Sequence, residues 1–316
     1  MNIRIGMLLD MCGNNYRRSV TGGVTLVVTV NLVLTSCASS ENHSGPAPSS
    51  PASTASVRHT AAATPQATTT APAPPAADAG KSLAAEFTTL EKELNAKIGV
   101  VISSVGANAT QLVLGDWTSG PAWSTSKVPL TMAALREKNP PTGLMRAAIT
   151  ESDNAAAESI WAGLGDPVPA AHKMEAVLAQ YGDPTIVESQ RTRPPFTAFG
   201  QTDWSLINQA RFTAGAVCDS ANKDIFTLMG QVEGGQSWGL GVIPGTRFKG
   251  GWGPSPAGNY LVRQLGVVKT PTGLTAVAVA TEPASGSFND GTQELTEVAK
   301  WLISKVTELP TGQCDH

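Results

Sequence analysis

The sequence predicts an α/β protein of the α+β type, in which an antiparallel sheet is flanked by N- and C-terminal helices and an all-helical lobe is inserted. Three observations predict this class. A helix pattern and two strand patterns open the domain, a long stretch over 124–232 carries only helix patterns, and three strand patterns and a helix pattern close it. This order is typical of a sheet covered by its terminal helices. A cleft between sheet and inserted lobe is then the expected place for a site.

The first helix is predicted over 81–97, followed by strands over 98–105 and 111–114. Four apolar residues at helical spacing share one face of that helix: Leu83, Phe87, Leu90 and Leu94. The small and polar residues of 106–110 favour a hairpin between the two strands.

The remaining elements follow from the same periodicities. Helices are predicted over 124–138, 144–150, 155–162 and 168–181, with two more inside 203–232. A proline-containing loop with little periodicity separates them over 182–202. Strands are predicted over 246–251, 260–269 and 274–281, and a last helix over 291–305. Pro271-Thr272-Gly273 forms the turn between the last two strands.

The composition excludes some classes of function. Of the 316 residues, 41% are apolar and 15% are charged, which suits a folded core, and the net charge is −3. An acidic chain offers no electrostatic reason to expect nucleic acid as a partner.

Histidine and cysteine placement excludes two kinds of catalytic centre. The four histidines are His43, His59, His172 and His316, and only His172 lies within the predicted domain. A Ser-His-Asp triad needs a histidine held between nucleophile and carboxylate, and a zinc site usually needs two or more His or Cys at short spacing. We assemble neither constellation from this sequence. We therefore expect neither a metal nor a cofactor.

The N-terminal segment is predicted to direct export and lipidation. Arg17 and Arg18 precede an apolar run over 24–34, a length typical of signal peptides. The run ends in Leu34-Thr35-Ser36-Cys37, which resembles a bacterial lipobox. That resemblance implies a signal peptide over 1–36, a diacylglyceryl group on Cys37, and a protein held by lipid at the outer face of the cell membrane. An ordinary secretory signal is the alternative, and Met11 is a second candidate start because the region before Arg17 is long.

Residues 37–80 are predicted to be a disordered linker, and 81–316 the domain. Within 38–80, 33 of the 43 residues are Ala, Ser, Thr or Pro. Such a composition cannot bury enough apolar surface to offset its conformational entropy. Export would place Cys218 and Cys314 in a compartment that permits disulfides. Two interpretations stay open: the two cysteines are bonded, or one is a buried thiol and the other lies in a frayed tail.

Ser124-Thr125-Ser126-Lys127 is the first motif that carries chemistry. Ser124 and Lys127, three residues apart, lie on one face of a helix. A partly desolvated lysine at that place can accept the serine proton. Ser126 is the rival nucleophile, but it is offset around the helix from Lys127.

Two further motifs each allow two interpretations. In Ser152-Asp153-Asn154, Ser152 could relay a proton and Asn154 could bind a substrate amide, or the three residues simply cap a helix. In Lys249-Gly250-Gly251, the paired glycines indicate close approach of a ligand or another backbone, or a β-bulge.

The three motifs in this order resemble the penicillin-recognising serine acyl-enzymes, and most of all the class A β-lactamases. The likeness covers the whole predicted domain and implies a β-lactamase/transpeptidase-like fold. It implies Ser124 as nucleophile, Lys127 as its base and Ser152 as proton relay. It also implies that the substrate is bound by Asn154, Lys249, Gly251 and Trp252. The N–H groups of Ser124 and Trp252 would form the oxyanion hole.

The sequence departs from the family in the parts that serve deacylation and carboxylate binding. The family's deacylating Glu would fall near Thr192, and Glu188 lies about one turn too early. Gly250 replaces the hydroxyl residue that helps to hold the substrate carboxylate. Only 28 residues separate Ser124 from Ser152, fewer than in class A enzymes, which predicts a more open site. Glu158 stands where those enzymes carry an amide, and we expect it to pair with Arg191 or Arg193.

The resulting hypothesis is a cell-envelope lipoprotein with a Ser-Lys hydrolase or acyl transferase domain that is acylated but does not hydrolyse β-lactams efficiently. Its substrate would be a cell-wall peptide or another acyl compound. The alternatives are a non-catalytic envelope-binding lipoprotein of the same fold and a slow penicillin-binding D,D-peptidase.

Overall fold

The computed structural model describes residues 76–106, 109–137 and 141–315. In chain order the helices and strands are α1 Ala76–Leu94, β1 Ala96–Ser104, β2 Gln111–Gly115, α2 Lys127–Arg136, α3 Gly143–Arg146, α4 Asn154–Gly163, α5 Pro167–Gln180, α6 Leu206–Ala216, α7 Lys223–Met229, β3 Arg247–Pro254, β4 Tyr260–Thr270, β5 Gly273–Pro283 and α8 Phe288–Ser304. The signal, the lipid site at Cys37 and most of the linker predicted from the sequence lie outside the described residues.

The first helix differs from its predicted bounds at both ends. It begins at Ala76, inside the stretch assigned to the linker, because its alanine-rich start favours a helix. It ends at Leu94 rather than at residue 97, because Asn95 adopts a left-handed conformation with φ of 50°. No helix among the described residues is long and apolar enough to cross a bilayer.

The five strands form one antiparallel sheet in the order β2-β1-β5-β4-β3. β1 and β2 are a hairpin pair, with Val101 opposite Val113. The long pairing of β1 with β5 joins the beginning of the domain to its end, with Val101 opposite Ala278. β3 lies at one edge and pairs with β4, which places Gly251 opposite Arg263.

Helices cover both faces of the sheet. α8 packs on β4 and β5 and α1 on β1 and β2, while α6 packs on β1 and β5 from the other side. Leu83 and Phe87 of α1, together with Leu295 and Leu302 of α8, are each 1% exposed. Burial of each such side chain contributes about 1.5–3 kcal/mol. The α+β architecture predicted from the sequence is confirmed, with eight α-helices in the described part of the chain.

The inserted lobe consists of α2 to α5 and α7, its core includes Leu130, Met174 and Phe226, and Phe212 of α6 packs against it. Two of its predicted helices are locally irregular. The first opens with a 3₁₀ turn over Trp123–Ser126, and the second continues from α3 into a π-helical turn over Ala147–Glu151. The π turn ends at Ser152, which has a left-handed φ of 60°, and Asp153 then caps α4.

The C-terminal tail returns to the sheet. Gly312 and Leu274 exchange two backbone hydrogen bonds at the start of β5. Two residues later, Cys314 is bonded to Cys218, which follows α6, with 5.2 Å between the Cα atoms. Of the two interpretations left open by the sequence, the structure has the disulfide.

Candidate active site

Ser124, the predicted nucleophile, lies in the 3₁₀ turn Trp123–Ser126 that leads into α2. Side chains three residues apart eclipse in a 3₁₀ turn, so this turn aligns Ser124 with Lys127. The preceding residue, Trp123, has a φ of 48°, an uncommon conformation for a bulky side chain. Ser124 is partly exposed, whereas Ser126 is 2% exposed and donates its hydroxyl to the carbonyl of Trp123. Of the two serines, only Ser124 is accessible.

The backbone of β3 lies directly against this turn. A Cβ atom at Gly251 would lie 2.8 Å from the amide nitrogens of both Ser124 and Thr125. Only glycine fits at this distance, which is the close backbone approach predicted from the paired glycines. The contact brings the β3 backbone, with Trp252 as its next residue, beside the amide of Ser124.

Lys127 is buried, at 1% exposure, and its ammonium group reaches the second motif. Its Nζ donates to the carbonyl oxygen of Ser152 at 2.5 Å, to Oδ1 of Asn154 at 2.8 Å and to Oγ of Ser152 at 3.3 Å. Burial lowers the pKa of Lys127 to about 7, and the negative charge of Asp153 opposes this change. A lysine with that pKa is poised to exchange a proton near neutral pH.

Lys249 is fully buried on β3 and contacts Ser152, as Lys127 does. Its Nζ lies 2.9 Å from Oγ of Ser152 and donates to the carbonyl of Gly250 at 2.8 Å. Burial, together with the charge of Lys127, holds the pKa of Lys249 well below its usual value. Ser152 therefore bridges two lysine amines, and its position depends on the left-handed conformation that ends the π turn.

The structure thus brings together Ser124, Lys127, Ser152, Asn154, Lys249 and Gly251 at the junction of α2, α4 and β3. In the second motif, the helix cap and the contacts with Lys127 fall on different residues. Asp153 is the cap, since its side chain accepts from the amide of Ala156 at 2.8 Å, while Ser152 and Asn154 contact Lys127. His172 is exposed on α5, and the described residues contain no cluster able to hold a metal ion.

A buried arginine supports the Ser124 turn, and the motifs did not indicate it. Arg263 of β4 is 0% exposed and donates to the carbonyls of Gly120 and Pro121 and to Oε1 of Gln209. Gln209 in turn donates to Oγ1 of Thr125 at 2.9 Å. Burial lowers the pKa of Arg263 to about 9, against the charge of Asp203. The sequence feature that could have indicated this role is an arginine within the largely apolar strand β4.

The sequence named Trp252 as a substrate ligand, but it gave no indication that Trp238 also lies beside Gly250. A Cβ atom at Gly250 would lie 3.2 Å from Cη2 of Trp238 and 3.6 Å from Cζ3 of Trp252. The two indoles lie edge to face, 5.9 Å apart, and both contact Phe288. Trp238 precedes β3 by nine residues, in a segment without strand or α-helix periodicity, so the pattern gave no indication of its position.

Side chains of the loop over 183–202 contact the loop itself, α4 and, through Arg193, the carbonyl of Pro254 on β3. Oε1 of Glu188 accepts from the amide of Gln190 at 2.8 Å, and Oγ1 of Thr192 donates to Gln201 at 2.7 Å. The carboxylate of Glu158 pairs with Arg191 at 2.8 Å, one of the two pairings expected from the sequence.

Comparison with known proteins gives structural neighbours alone. No protein-family model matches the chain, and no curated protein matches it. The TLA-3 extended-spectrum β-lactamase matches with a TM-score of 0.57 and 15% identity over 71% of this chain and 99% of its own. A β-lactamase from Sphaerobacter thermophilus matches with a TM-score of 0.56 and 18% identity, over 73% of this chain and 98% of its own.

A variant of the last common ancestor of Gram-negative class A β-lactamases matches with a TM-score of 0.54 and 18% identity, over 71% of this chain and 97% of its own. Each neighbour is matched over nearly its whole length, so the likeness takes in both the sheet and the inserted lobe. The domain therefore has the β-lactamase-like fold that the three motifs predicted.

Proposed function

We propose that this domain is a serine hydrolase or acyl transferase in which Ser124 is the nucleophile and Lys127 its base. The observation that supports this most is the environment of Lys127. Its buried amine has a pKa of about 7 and lies one 3₁₀ turn from an accessible serine hydroxyl. A neutral amine at that place can take the serine proton without a histidine.

The proposed acylation assigns each step to one of these groups. Oγ of Ser124 bonds to the carbonyl carbon of an ester or amide while its proton passes to Nζ of Lys127. The amides of Ser124 and Trp252 stabilise the oxyanion. As the bond to the leaving group breaks, a proton passes to that group through the hydroxyl of Ser152, which lies 3.3 Å from Lys127 and 2.9 Å from Lys249. Asn154 would bind the amide of the acyl group.

We further propose that the acyl-enzyme is long-lived. Glu188 is turned to its own loop and Glu158 is paired with Arg191, so neither carboxylate is placed beside Ser152 or Lys127 by any contact among the described residues. Loss of a positioned general base typically lowers a rate about 10²- to 10⁴-fold. The domain would then transfer or retain an acyl group, or act as a slow D,D-peptidase, instead of turning over β-lactams rapidly.

The proposal includes a lipoprotein at the outer face of the cell membrane, anchored through Cys37, with a cell-wall peptide or another acyl compound as substrate. Metabolic labelling with an alkyne fatty acid tests the anchor in the full-length chain. We expect label in the wild type and none in Cys37→Ser. Label that persists in the variant would contradict the anchor.

A second candidate is a non-catalytic binding domain of the same fold, and one observation favours it. Among the described residues, the hydroxyl of Ser124 makes no hydrogen bond, and the amine of Lys127 is directed to Ser152 and Asn154. A base that is engaged elsewhere would have to turn to Ser124 before it could act.

Intact-protein mass spectrometry separates the two candidates. The domain is incubated with a fluorophosphonate and with a penicillin, as wild type, Ser124→Ala and Ser126→Ala. Ser126 is a matched control because it is a neighbouring serine whose hydroxyl is buried. We expect a stable adduct in the wild type and Ser126→Ala and none in Ser124→Ala. The absence of an adduct with either probe after long incubation would favour the binding domain.

A further inference from the structure

We propose that Trp238 and Trp252 form a wall of the acyl site that selects substrates without a charge at this place: esters or amides carrying an apolar or aromatic group. This inference rests on the proposed function and goes further by naming the class of substrate.

The wall takes the volume that a side chain at position 250 would need. A Cβ at Gly250 would lie 3.2 and 3.3 Å from two ring atoms of Trp238. These are closer than ordinary carbon contacts of about 3.5–4.0 Å. A threonine or serine would therefore fit only if the indole shifted by a few tenths of an ångström. Gly250 and Trp238 thus belong together: the indole occupies space beside position 250, where the family's third motif carries a hydroxyl.

The wall is adjacent to the reacting groups. Gly250 and Trp252 flank Gly251, whose backbone lies against the amide of Ser124. In the proposed arrangement, the indole rings lie beside the part of the substrate that extends along β3 from a carbonyl bound at Ser124. Trp238 and Trp252 are both partly exposed, so their faces are accessible to that part.

The charges at this place do not favour a carboxylate. Lys249 precedes Gly250 on β3, but it is 0% exposed, and its amine is turned to Ser152 and the carbonyl of Gly250. Burial and the charge of Lys127 favour its neutral form. A substrate carboxylate would lose its hydration against two indoles without pairing with Lys249 in exchange, and burying an unpaired charge is unfavourable.

The aromatic cluster continues behind the wall and fixes its shape. The ring of Phe288 lies 5.3 Å from that of Trp252 and 6.1 Å from that of Trp238, and Tyr260 lies 5.9 Å from Phe288. The carbonyl of Trp238 accepts from Gln264 at 2.8 Å. Such packing holds the two indoles in place and gives the apolar group of a substrate a preformed surface.

Benzylpenicillin and its methyl ester form a matched pair of probes, because they differ only in the charge of the carboxylate. The rate of Ser124 acylation by each is measured by intact mass and divided by the rate of its reaction with hydroxide. We expect the ester to acylate the wild-type domain about tenfold faster on this scale, a discrimination of the size that one pocket contact provides. The double variant Trp238→Ala/Gly250→Thr should lose most of that preference.

Two further variants keep the outcome interpretable. Trp238→Phe retains an apolar ring and should keep the preference even if the double variant fails to fold. Trp301→Ala removes a partly buried indole that packs on Phe87 instead, and it should leave the preference unchanged. Equal normalised rates, or a faster free acid in the wild type, would overturn the inference while acylation of Ser124 stands. No adduct with either penicillin or a fluorophosphonate would overturn the proposed function and this inference together.

Discussion

Asp153→Asn should move the acid limb of Ser124 acylation to lower pH. Lys127 must be neutral to accept the serine proton, and its pKa is lowered to about 7 by burial against the opposing charge of Asp153. Removal of that negative charge favours the neutral amine further. The substitution isolates the charge, because asparagine caps a helix as well as aspartate does and the hydrogen bond from Ala156 can be kept.

The magnitude follows from the fraction of neutral lysine. At pH 7 a pKa of about 7 leaves the Lys127 amine neutral in about half of the molecules, against about one in 3000 at the usual value of 10.5. Asp153 is exposed, so solvent screens its effect, and we expect a change of about half a pH unit. The acylation rate of Asp153→Asn should then be about two- to threefold higher than that of the wild type at pH 6. At pH 9 the two rates should be equal, because Lys127 is neutral in both proteins.

The assay is a single-turnover acylation followed by intact mass from pH 5 to 9, with one uncharged probe. Glu151→Gln is the matched control, since Glu151 is an exposed neighbouring carboxylate that does not contribute to the pKa of Lys127. An unchanged acid limb in Asp153→Asn, or one that moves to higher pH, would refute Lys127 as the base.

Three other predictions concern stability and access. Lys249→Met should raise the free energy of unfolding by about 1–4 kcal/mol at pH 6, because a lysine whose pKa is lowered in the folded state destabilises the fold at pH values below its ordinary pKa of 10.5. The gain should shrink towards pH 10, and a lower melting temperature at pH 6 would contradict it. Replacement of Cys218 and Cys314 by serine should lower the free energy of unfolding by about 2–5 kcal/mol in denaturant titrations, since the bond closes a loop with a separation of 96 residues; an unchanged midpoint would count against this. Gly251→Ala should abolish adduct formation, because its Cβ would lie 2.8 Å from the amide of Ser124, whereas an adduct at the wild-type rate would show that the turn can give way.

The sheet and the motif residues could be predicted from the sequence because their signals are local. Residue alternation and turn chemistry indicated all five strands, and the strand bounds differ from the observed ones by only a few residues. Gly251 was expected to mark a close backbone approach, and it does. The spacing of Ser124 and Lys127 implied a shared face, which the 3₁₀ turn provides in a different way from the α-helix that was expected.

The parts that sequence could not indicate depend on contacts between distant segments. Trp238 reaches Gly250 because an irregular segment folds over the edge strand, and no periodicity records that path. Arg263 serves the Ser124 turn through carbonyls more than 140 positions earlier in the chain. The left-handed Ser152 follows from a π turn, a local adjustment that residue propensities do not predict.

The disulfide between Cys218 and Cys314 also determines how the domain would respond to a pulling force. A domain held by its N-terminal end, as the proposed anchor implies, would be loaded through α1 and then β1. The segment between the two cysteines is closed into a covalent ring that contains β3, β4, β5 and α8. Because the bonded cysteines are 96 residues apart, about 300 Å of chain cannot be extended while the disulfide is intact. Ser124 and Ser152 lie outside the ring, whereas Lys249 lies inside it. Under load, Lys249 would stay within the covalent ring while Ser124 and Ser152 could be pulled away from it.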